Sequence, residues 1–333
     1  MFIASTLKGL EGICCKEVSG KKISDCRVKF SKKQDVKSAL VAYELIDDFE
    51  FKTLDNIIAR IKKINIPIKK SFKVECNREG KHKFSSQEVK EEIGEYLYKK
   101  GNKVELHNPE TIVYLDIVDN HCFLGLNPEF SVKRKYRVRS SRQALNSTIA
   151  YSLLKIGGYK KEMVIVDCFC GDGSILIEAG LIGGKKLYGL DEYLQNAQIN
   201  SHLAGVKINL ERENPEFLNS LFKEKEVDLI ITQPKFYDNN GINEMFSAGR
   251  IILKEKGRII IVSDKMDIIE KIAQKHGWKG KKEVEVINGD IDYIVKSFKR
   301  AFLEHKSPSD FGAPSSSGRL AKEPREKSLD SCF

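Results

Sequence analysis

The sequence lacks the residue patterns that bind structural metals or cross-link small domains. Its eight cysteines include no Cys-x-x-Cys pair, and none of its six histidines is spaced to complete a zinc site. Zinc fingers and zinc ribbons require such spacing. We therefore expect no metal, and free thiols of the kind found in the reducing cytoplasm.

Long apolar runs and export signals are missing as well. No run approaches the ~20 residues that cross a membrane, and the N-terminus lacks the basic start and apolar centre of a signal peptide. A chain of 333 residues, 31% of them charged, is typical of a globular protein with two or more domains. We expect a cytoplasmic monomer that does not enter a membrane.

Positive charge is concentrated in the first half of the chain. Residues 1–150 hold 29 Lys and Arg against 20 Asp and Glu, a net charge of +9, whereas residues 151–333 hold 28 against 27. This asymmetry favours a polyanion bound by the first half and chemistry in the second. Solubility alone is the alternative explanation for the basic excess.

The most informative motif lies at residues 163–180, where an apolar run ends in Asp167 and continues into Cys-Phe-Cys-Gly-Asp-Gly-Ser. This pattern predicts a buried strand that turns tightly into a helix, because Gly171 and Gly173 allow positive φ angles and close approach of a ligand. A second apolar run ends in Asp191, where a doubly wound fold places the carboxylate that binds ribose hydroxyls. A nucleotide-like ligand is predicted; a structural turn in another α/β protein is the alternative.

The third glycine of a dinucleotide fingerprint is absent, since Leu176 occupies its position, and this disfavours a pyrophosphate cofactor. The form Asp-x-Phe-Cys-Gly-x-Gly-Ser resembles the first motif of class I S-adenosylmethionine-dependent methyltransferases that modify exocyclic amines. The resemblance implies S-adenosylmethionine as cofactor, with Asp167 orienting its methionine end and Asp191 holding its ribose. The cofactor-site residues that it implies are Asp167, Phe169, Gly171, Gly173, Ser174, Asp191 and Glu192.

Ahead of this motif, short apolar runs and helical patterns predict an α+β region. The strings Phe-Lys-Val-Glu-Cys at 72–76 and Arg-Glu-Gly-Lys-His-Lys-Phe-Ser-Ser at 78–86 resemble a THUMP domain. THUMP domains are RNA-binding modules of tRNA-modifying enzymes and usually follow a ferredoxin-like segment, so the resemblance implies docking of a tRNA. A solvated charged loop is the alternative. The candidate phosphate contacts are Arg78, Lys81, His82 and Lys83.

Residues 131–148 form a basic segment with six cations and no acid. Tyr136 among these arginines suits a nucleic-acid backbone with one stacked base, whereas a solvated linker is the alternative. A similar Arg-x-Tyr-Arg and Leu-Asn-x-Thr string helps cover the cofactor in THUMP-containing guanine methyltransferases, which adds Asn146 and Thr148 to the cofactor-site candidates. The RNA-contact candidates in this segment are Lys133, Arg134, Arg137, Arg139 and Arg142.

From Met163 onward, short apolar runs alternate with helical patterns, which predicts a doubly wound sheet of buried parallel strands. The predicted fold class is α/β: a C-terminal Rossmann-like class I methyltransferase domain, preceded by an α+β ferredoxin-like and THUMP RNA-binding region. The predicted domains are a ferredoxin-like segment 1–65, a THUMP domain 66–128, a basic linker 129–150, a methyltransferase domain 151–304 and a disordered tail 305–333.

The string Gln-Pro-Lys-Phe at 233–236 stands where amino-group methyltransferases carry Asn/Asp-Pro-Pro-Tyr/Phe. An exocyclic amine is a poor nucleophile because its lone pair is conjugated with the ring. Carbonyl oxygens therefore accept its hydrogens and aim it at the methyl group, while an aromatic ring stacks on the base. The resemblance implies these catalytic roles for Gln233, Pro234 and Phe236.

Both motifs depart from the family pattern. Gln233 is one methylene longer than Asn, a displacement that corresponds to about a hundredfold in rate, and Lys235 replaces a proline. Cys168 replaces a proline, and Asp172 replaces a serine and adds negative charge. One hypothesis is a tRNA methyltransferase acting on a base amine, most specifically guanine N2, with another RNA base amine as a further possibility. The other is a degenerate relative that binds tRNA or assists assembly without methylating.

Overall fold

The computed structural model describes residues 1–130, 134–140, 144–234 and 238–301, whose strands form two sheets. The first sheet contains β1 (Phe2–Ser5), β2 (Lys21–Ser24), β3 (Arg27–Phe30), β4 (Val41–Glu50), β5 (Ser71–Glu79), β6 (Lys103–Val104), β7 (Thr111–Val118) and β8 (His121–Glu129). The helices of this half are α1 (Glu11–Val18), α2 (Leu54–Ile61) and α3 (Ser86–Lys99).

The first sheet is continuous through the two segments that the sequence analysis separates. Its strand order is β2-β3-β1-β4-β8-β7-β5-β6, and β4 joins the segments by antiparallel pairing with β8. The predicted capped helix is present as α3: the Ser85 hydroxyl accepts the Glu88 N–H, and the Glu88 carboxylate accepts the Ser85 N–H. The domain boundary at residues 65 and 66 stays a prediction.

A buried ion pair spans this sheet. Arg27 on β3 donates through Nε and Nη2 to the two carboxylate oxygens of Asp116 on β7, over 2.5 and 2.7 Å. Tyr43 on β4 donates to the same carboxylate over 2.9 Å. Because β3 and β7 are not neighbours in the strand order, the sheet curls to bring them together. A bidentate pair of this kind offsets the cost of removing both charges from water.

The second sheet contains β9 (Ile165–Asp167), β10 (Leu187–Leu190), β11 (Asn209–Glu211), β12 (Val227–Thr232), β13 (Leu253–Ser263), β14 (Trp278–Asn288) and β15 (Ile291–Arg300). The helices of this half are α4 (Ser147–Ile156), α5 (Ser174–Leu181), α6 (Gln195–Ala204), α7 (Leu218–Leu221), α8 (Asn239–Ile252) and α9 (Met266–Lys275), with a 3-10 helix at Pro215–Phe217.

The strand order of the second sheet is β11-β10-β9-β12-β13-β15-β14. The first five strands are parallel, and β14 and β15 close the sheet as the predicted antiparallel hairpin. Large apolar clusters cover the sheet, as expected where helices pack on both faces. β11 was not predicted from the sequence, because a strand of three mostly exposed residues shows no apolar run.

The N-terminal residues pack directly on the second sheet. Lys8 forms an antiparallel bridge with Ile287 of β14. Gly9 has a φ of 95°, and a Cβ atom there would lie 1.7 Å from the Glu285 carbonyl oxygen, so the close approach requires glycine. Leu10 joins the apolar cluster that covers α4 and α5. The two halves are therefore packed against each other.

Two further observations concern the described part of the chain. None of its helices is long and apolar enough to cross a membrane, and none of its His, Cys, Asp and Glu side chains form a group that could hold a metal ion. The predicted tail at residues 305–333 lies outside the described residues.

The Arg27–Asp116 pair yields a stability prediction. We expect Asp116→Asn to lower the free energy of unfolding by about 3–5 kcal/mol, because the buried guanidinium of Arg27 then keeps only the half-exposed carboxylate of Glu79. The matched control is Asp48→Asn, which breaks the partly exposed 3.5 Å pair between Lys29 on β3 and Asp48 on β4 and should cost less than about 1 kcal/mol. Urea denaturation measures both, and equal losses would contradict the prediction.

Candidate active site

The carboxyl ends of β9, β10 and β12 meet at one edge of the second sheet, because these strands are parallel neighbours. This is where ligands bind in open α/β sheets. A cavity of about 240 Å³ lies there. It is lined by Ala144, Leu145, Asp167, Phe169, Cys170, Gly171, Asp172, Ser174, Ile175, Asp191, Gln233, Pro234, Ser263, Asp264, Ile291 and Tyr293.

The predicted glycine turn borders this cavity. Gly171 and Gly173 have φ angles of 53° and 80°, which glycine adopts without strain. A Cβ atom at Gly171 would meet no protein atom within 4 Å, so the described backbone faces open space there. Asp191 Oδ2 accepts the Gly171 N–H over 3.0 Å, and Asp191 Oδ1 accepts the Tyr193 N–H over 3.1 Å. The turn and the second acid are thus held together.

Asp167 lies at the bottom of the site and is fully buried. Its Oδ1 accepts hydrogen bonds from the Thr232 hydroxyl (2.5 Å) and the Phe169 N–H (3.2 Å). Burial raises the pKa of Asp167 to about 7, and the nearby carboxylates of Asp191 and Asp172 push it in the same direction, while the two hydrogen bonds lower it. A cationic ligand group beside Asp167 would favour its charged form.

Asp172 does not carry an uncompensated charge. Its Oδ2 accepts from Arg137 Nε over 3.2 Å, and its Oδ1 accepts from the amide and the hydroxyl of Ser174. The expectation that Asp172 adds bare negative charge to the site is therefore corrected. Arg137, predicted as an RNA contact, is instead paired at the cavity edge.

The basic segment is also fastened to α5. Arg134 Nε donates to Glu178 Oε1 over 2.8 Å, and the Tyr136 hydroxyl donates to the same oxygen over 2.8 Å. Both Tyr136 and Glu178 are buried, and only a tenth of the Arg134 side chain is exposed. Arg134 and Tyr136 therefore lie in the interior and do not face a nucleic acid. The physical reason is the buried Glu178 carboxylate, which requires partners.

Arg139, Lys133 and Arg142 are the remaining RNA-contact candidates of the basic segment. The Arg139 side chain is exposed, and its backbone N–H donates to Asn200 Oδ1 over 3.1 Å. Its predicted RNA contact stays a prediction. Lys133 and Arg142 lie outside the described residues.

Asn146 and Thr148 do not line the cavity, contrary to expectation. Asn146 caps α4, its Oδ1 accepting the Thr148 N–H over 2.8 Å. Thr148 is fully buried and donates its hydroxyl to the Ala39 carbonyl over 3.1 Å. The cavity wall is formed instead by Ala144 and Leu145 just before the helix. The Leu-Asn-Ser-Thr string at 145–148 thus begins at the cavity wall, but Asn146 caps α4 and Thr148 bonds the Ala39 carbonyl.

Glu192 also lies outside the cavity wall, because its side chain is exposed beyond Asp191. Its carbonyl accepts the Arg212 Nε–H over 3.0 Å, and the two residues border a separate surface depression with Tyr193. Of the predicted cofactor-site residues, those in the cavity wall are Asp167, Phe169, Gly171, Ser174 and Asp191. Gly173 lies within the turn itself as the N-cap of α5.

The catalytic candidates Gln233 and Pro234 line the same cavity, directly after β12. Phe236 and Lys235 lie outside the described residues. Gln233 shares the cavity wall with Tyr293 on β15, a residue that was not predicted from the sequence. Burial raises the pKa of Tyr293, so its phenol stays protonated. No signal in the sequence could have found Tyr293, since only the sheet order brings β15 to the edge where β12 ends, with β13 between the two strands.

Ser263 and Asp264 were missed as well, although they had a signal. They follow the apolar strand β13 just as Asp167 ends β9, and the carboxyl ends of parallel strands share one edge.

The predicted RNA loop lies at the end of β5. His82 Nε2 lies 2.5 Å from the Asp119 carbonyl oxygen, so it must carry the proton, and Nδ1 then accepts from Arg78 Nη1 over 3.0 Å. The His82 ring packs against Phe51 and Phe84. His82 thus positions Arg78, and both of its ring nitrogens already have partners. Its predicted phosphate contact stays a prediction. The side chains of Lys81 and Lys83 are exposed.

Comparison with known proteins identifies both halves. The profile for RMKL-like methyltransferase domains matches residues 134–294, and the THUMP profile matches residues 51–127. The chain combines a THUMP domain with an RMKL-like methyltransferase domain. The predicted fold class, a THUMP region followed by a Rossmann-like methyltransferase domain, is confirmed.

Similar proteins span most of the chain. The tRNA (guanine(6)-N2)-methyltransferase of Archaeoglobus fulgidus is 24% identical, covering 83% of this chain and 86% of the relative. The tRNA (guanine(6)-N2)-methyltransferase of Methanocaldococcus jannaschii is 25% identical, covering 72% and 79%. The crystal structure of TrmN from Thermus thermophilus has a TM-score of 0.73 at 23% identity, covering 90% of this chain and 99% of that chain, and therefore shares the fold.

The raised pKa of Asp167 predicts how stability of the methyltransferase domain depends on pH. An unfolded Asp loses its proton near pH 3.8 and the buried one near pH 7, so the folded state holds the extra proton between these values. Stability contributed by this site falls as pH rises through this window, by at most about 1.4 kcal/mol per pH unit. Asp167→Asn should remove this pH dependence. The free energy of unfolding of the variant should therefore rise relative to that of the parent as the pH increases from 4 to 7.

Denaturation of both proteins at several pH values measures this difference, with Asp228→Asn as a control for an acid whose carboxylate is partly exposed and paired with Lys254. Parallel stability profiles for the parent and Asp167→Asn would contradict the prediction.

Proposed function

We propose that this protein transfers the methyl group of S-adenosylmethionine to an exocyclic amine of a tRNA base, most specifically guanine N2. One observation carries the proposal: a single cavity joins the glycine turn and the acids Asp167 and Asp191 to the loop of Gln233 and Pro234. Cofactor groups and amine-directed carbonyl groups therefore share one space. The names of the two archaeal relatives support this choice of substrate.

The residues of the turn fit S-adenosylmethionine. The backbone at Gly171 faces open space, so a bulky ligand can lie against it. Asp191 is buried at the end of β10, fixed by two backbone N–H groups and thus preorganised to accept from ribose hydroxyls. Asp167 is placed to interact with a cationic group, which would offset the burial that raises its pKa. When bound, the cofactor supplies an electrophilic methyl group.

The residues of the catalytic loop aim the acceptor amine. The side-chain carbonyl of Gln233 and the backbone carbonyl of Pro234 accept its two hydrogens, which enriches the nitrogen lone pair and points it into the cavity. Tyr293 lies beside Gln233 in the cavity wall and limits the space open to its longer side chain. Phe236 is proposed to stack on the extruded base. No strong base is needed, because the amine becomes acidic once methylated.

The THUMP domain is proposed to dock the tRNA. Lys81 and Lys83 are exposed on one loop, and His82 holds the neighbouring Arg78 in place. Exposed cations of this kind neutralise phosphates and release counterions. Arg139, Lys133 and Arg142 are retained as proposed contacts from the basic segment. A cytoplasmic location and a monomeric state stay predictions.

The cavity favours methylation over the binding-only alternative. It is open beside Gln233, and Arg137 neutralises the unusual Asp172. Two departures from the family pattern are thus accommodated in this structure: Tyr293 lies beside Gln233, and Arg137 pairs with Asp172.

Methyl transfer from tritiated S-adenosylmethionine to bulk tRNA tests the activity. We expect Gln233→Ala, Asp191→Ala and Phe236→Ala each to lower the rate by about a hundredfold or more, because each removes a positioning contact. The control is Lys256→Gln, an exposed change near the start of β13 at the opposite edge of the sheet, which should leave the rate unchanged. Methylation that survives all three site changes would contradict the assignment.

A filter-binding assay at several salt concentrations tests the RNA contacts. Lys81→Ala combined with Lys83→Ala should weaken tRNA binding and reduce the slope of log affinity against log salt by about 2, since two phosphate contacts are lost. Binding of S-adenosylhomocysteine should not change, because the loop lies on the first sheet. An unchanged salt slope would show that these lysines do not contact phosphate.

A further inference from the structure

Arg137 and Asp172 form an ion pair beside the cavity. Asp172 stands where the family carries serine, and Arg137 Nε donates to its Oδ2 over 3.2 Å. The two side chains are 18% and 5% exposed, so the pair is partly shielded from water. Asp172 and Ser174 both line the cavity. A ligand over the glycine turn would therefore meet Asp172, to which Arg137 is bonded.

The pair has hydrogen-bonding capacity left. Asp172 Oδ1 accepts two hydrogen bonds from Ser174, whereas Oδ2 accepts one, from Arg137. Each carboxylate oxygen offers two lone pairs, so Oδ2 can accept another donor. A guanidinium has five N–H groups, and among the described residues only the Nε–H of Arg137 is engaged. Its terminal nitrogens remain available to an anion.

Asn200 of α6 joins the basic segment to the glycine turn. Its Nδ2 donates to the carbonyl oxygens of Arg139 (2.7 Å) and Asp172 (3.1 Å), and its Oδ1 accepts the Arg139 N–H (3.1 Å). Because one buried side chain binds both the basic segment and the turn, the ion pair is preorganised.

The charge around the cavity makes such a cation necessary for an anionic ligand group. Four aspartates line the cavity: Asp167, Asp172, Asp191 and Asp264. No cation lines it among the described residues. Asp172 is paired with Arg137 and Asp191 is hydrogen-bonded, but a carboxylate entering this space still meets acidic and no basic side chains in the described wall. Arg137 supplies positive charge at the Asp172 edge.

We propose that Asp172 in the cavity wall and Arg137, which is bonded to it at the cavity edge, together bind the zwitterionic amino-acid end of the cofactor. Asp172 Oδ2 accepts from the ammonium group, and the terminal nitrogens of Arg137 donate to the carboxylate group. Each charge of the ligand thus meets its opposite, and the ion pair makes Asp172 compatible with a carboxylate-bearing ligand. This inference rests on the proposed function, because it requires S-adenosylmethionine as the ligand.

Two probes separate this role from a purely structural one. S-adenosylhomocysteine contains the amino-acid end, whereas 5′-methylthioadenosine lacks it and keeps the adenosine. The full chain is titrated with each probe by calorimetry. We expect Arg137→Gln to weaken S-adenosylhomocysteine binding about tenfold or more, which corresponds to about 1.4 kcal/mol, and to change methylthioadenosine binding by less than about twofold.

Asp172→Asn should weaken S-adenosylhomocysteine binding in the same selective way. The matched control is Lys135→Gln, which removes one exposed positive charge from the same segment and should affect neither probe. Thermal melting of each variant confirms that it is folded before titration.

Equal weakening of both probes by Arg137→Gln would mean that the pair only holds the turn in place, and would overturn the inference while the proposed function stands. Unchanged S-adenosylhomocysteine affinity in both variants would overturn it as well. Failure of the parent protein to bind either probe would overturn the proposed function together with the inference.

Discussion

Parallel pairing of β9 with β10 on one side and β12 on the other is the constraint on which the site depends. Hydrogen bonding in a parallel sheet brings the carboxyl ends of these strands to one edge. Asp167, Asp191 and Gln233 are far apart in the sequence, yet each immediately ends or follows one of these strands. The burial of Asp167 follows from the same geometry, since β9 is an interior strand covered by helices. The depth that raises its pKa is therefore set by the fold.

A second constraint comes from charged side chains that are buried away from water. Glu178 on α5 is fully buried, and such a carboxylate is tolerated only when it is paired and hydrogen-bonded. Arg134 and Tyr136 bond it, and Arg137 bonds Asp172 in the turn that precedes α5. A segment that looks like a free cationic tether in sequence is thereby fastened along the cofactor turn. Arg134 of this segment lies in the interior, Arg137 lies at the cavity edge, and Arg139 is exposed to solvent.

The two halves of the protein are connected through backbone groups. Arg134 Nη2 donates to the Lys37 carbonyl, and the Thr148 hydroxyl donates to the Ala39 carbonyl. Lys8 pairs with β14, the last strand in the order of the second sheet. The N-terminal region is therefore joined both to the basic segment and to the methyltransferase sheet. An RNA held by the THUMP domain would therefore lie on a sheet that is joined to the methyltransferase domain through these contacts.

The sequence by itself determined the fold class, the strand that ends in Asp167, the glycine turn and the acid at Asp191. These follow from local rules: apolar runs become buried strands, and glycine tolerates positive φ. Tertiary structure alone decided that Arg137 pairs with Asp172, that Thr148 faces Ala39, and that Tyr293 lies beside Gln233. The charged residues of a sequence show which side chains need partners when they are buried. Which partners they find depends on how segments distant in the chain pack together. The sequence therefore predicted the position of the site, and the folded chain assigned its polar groups.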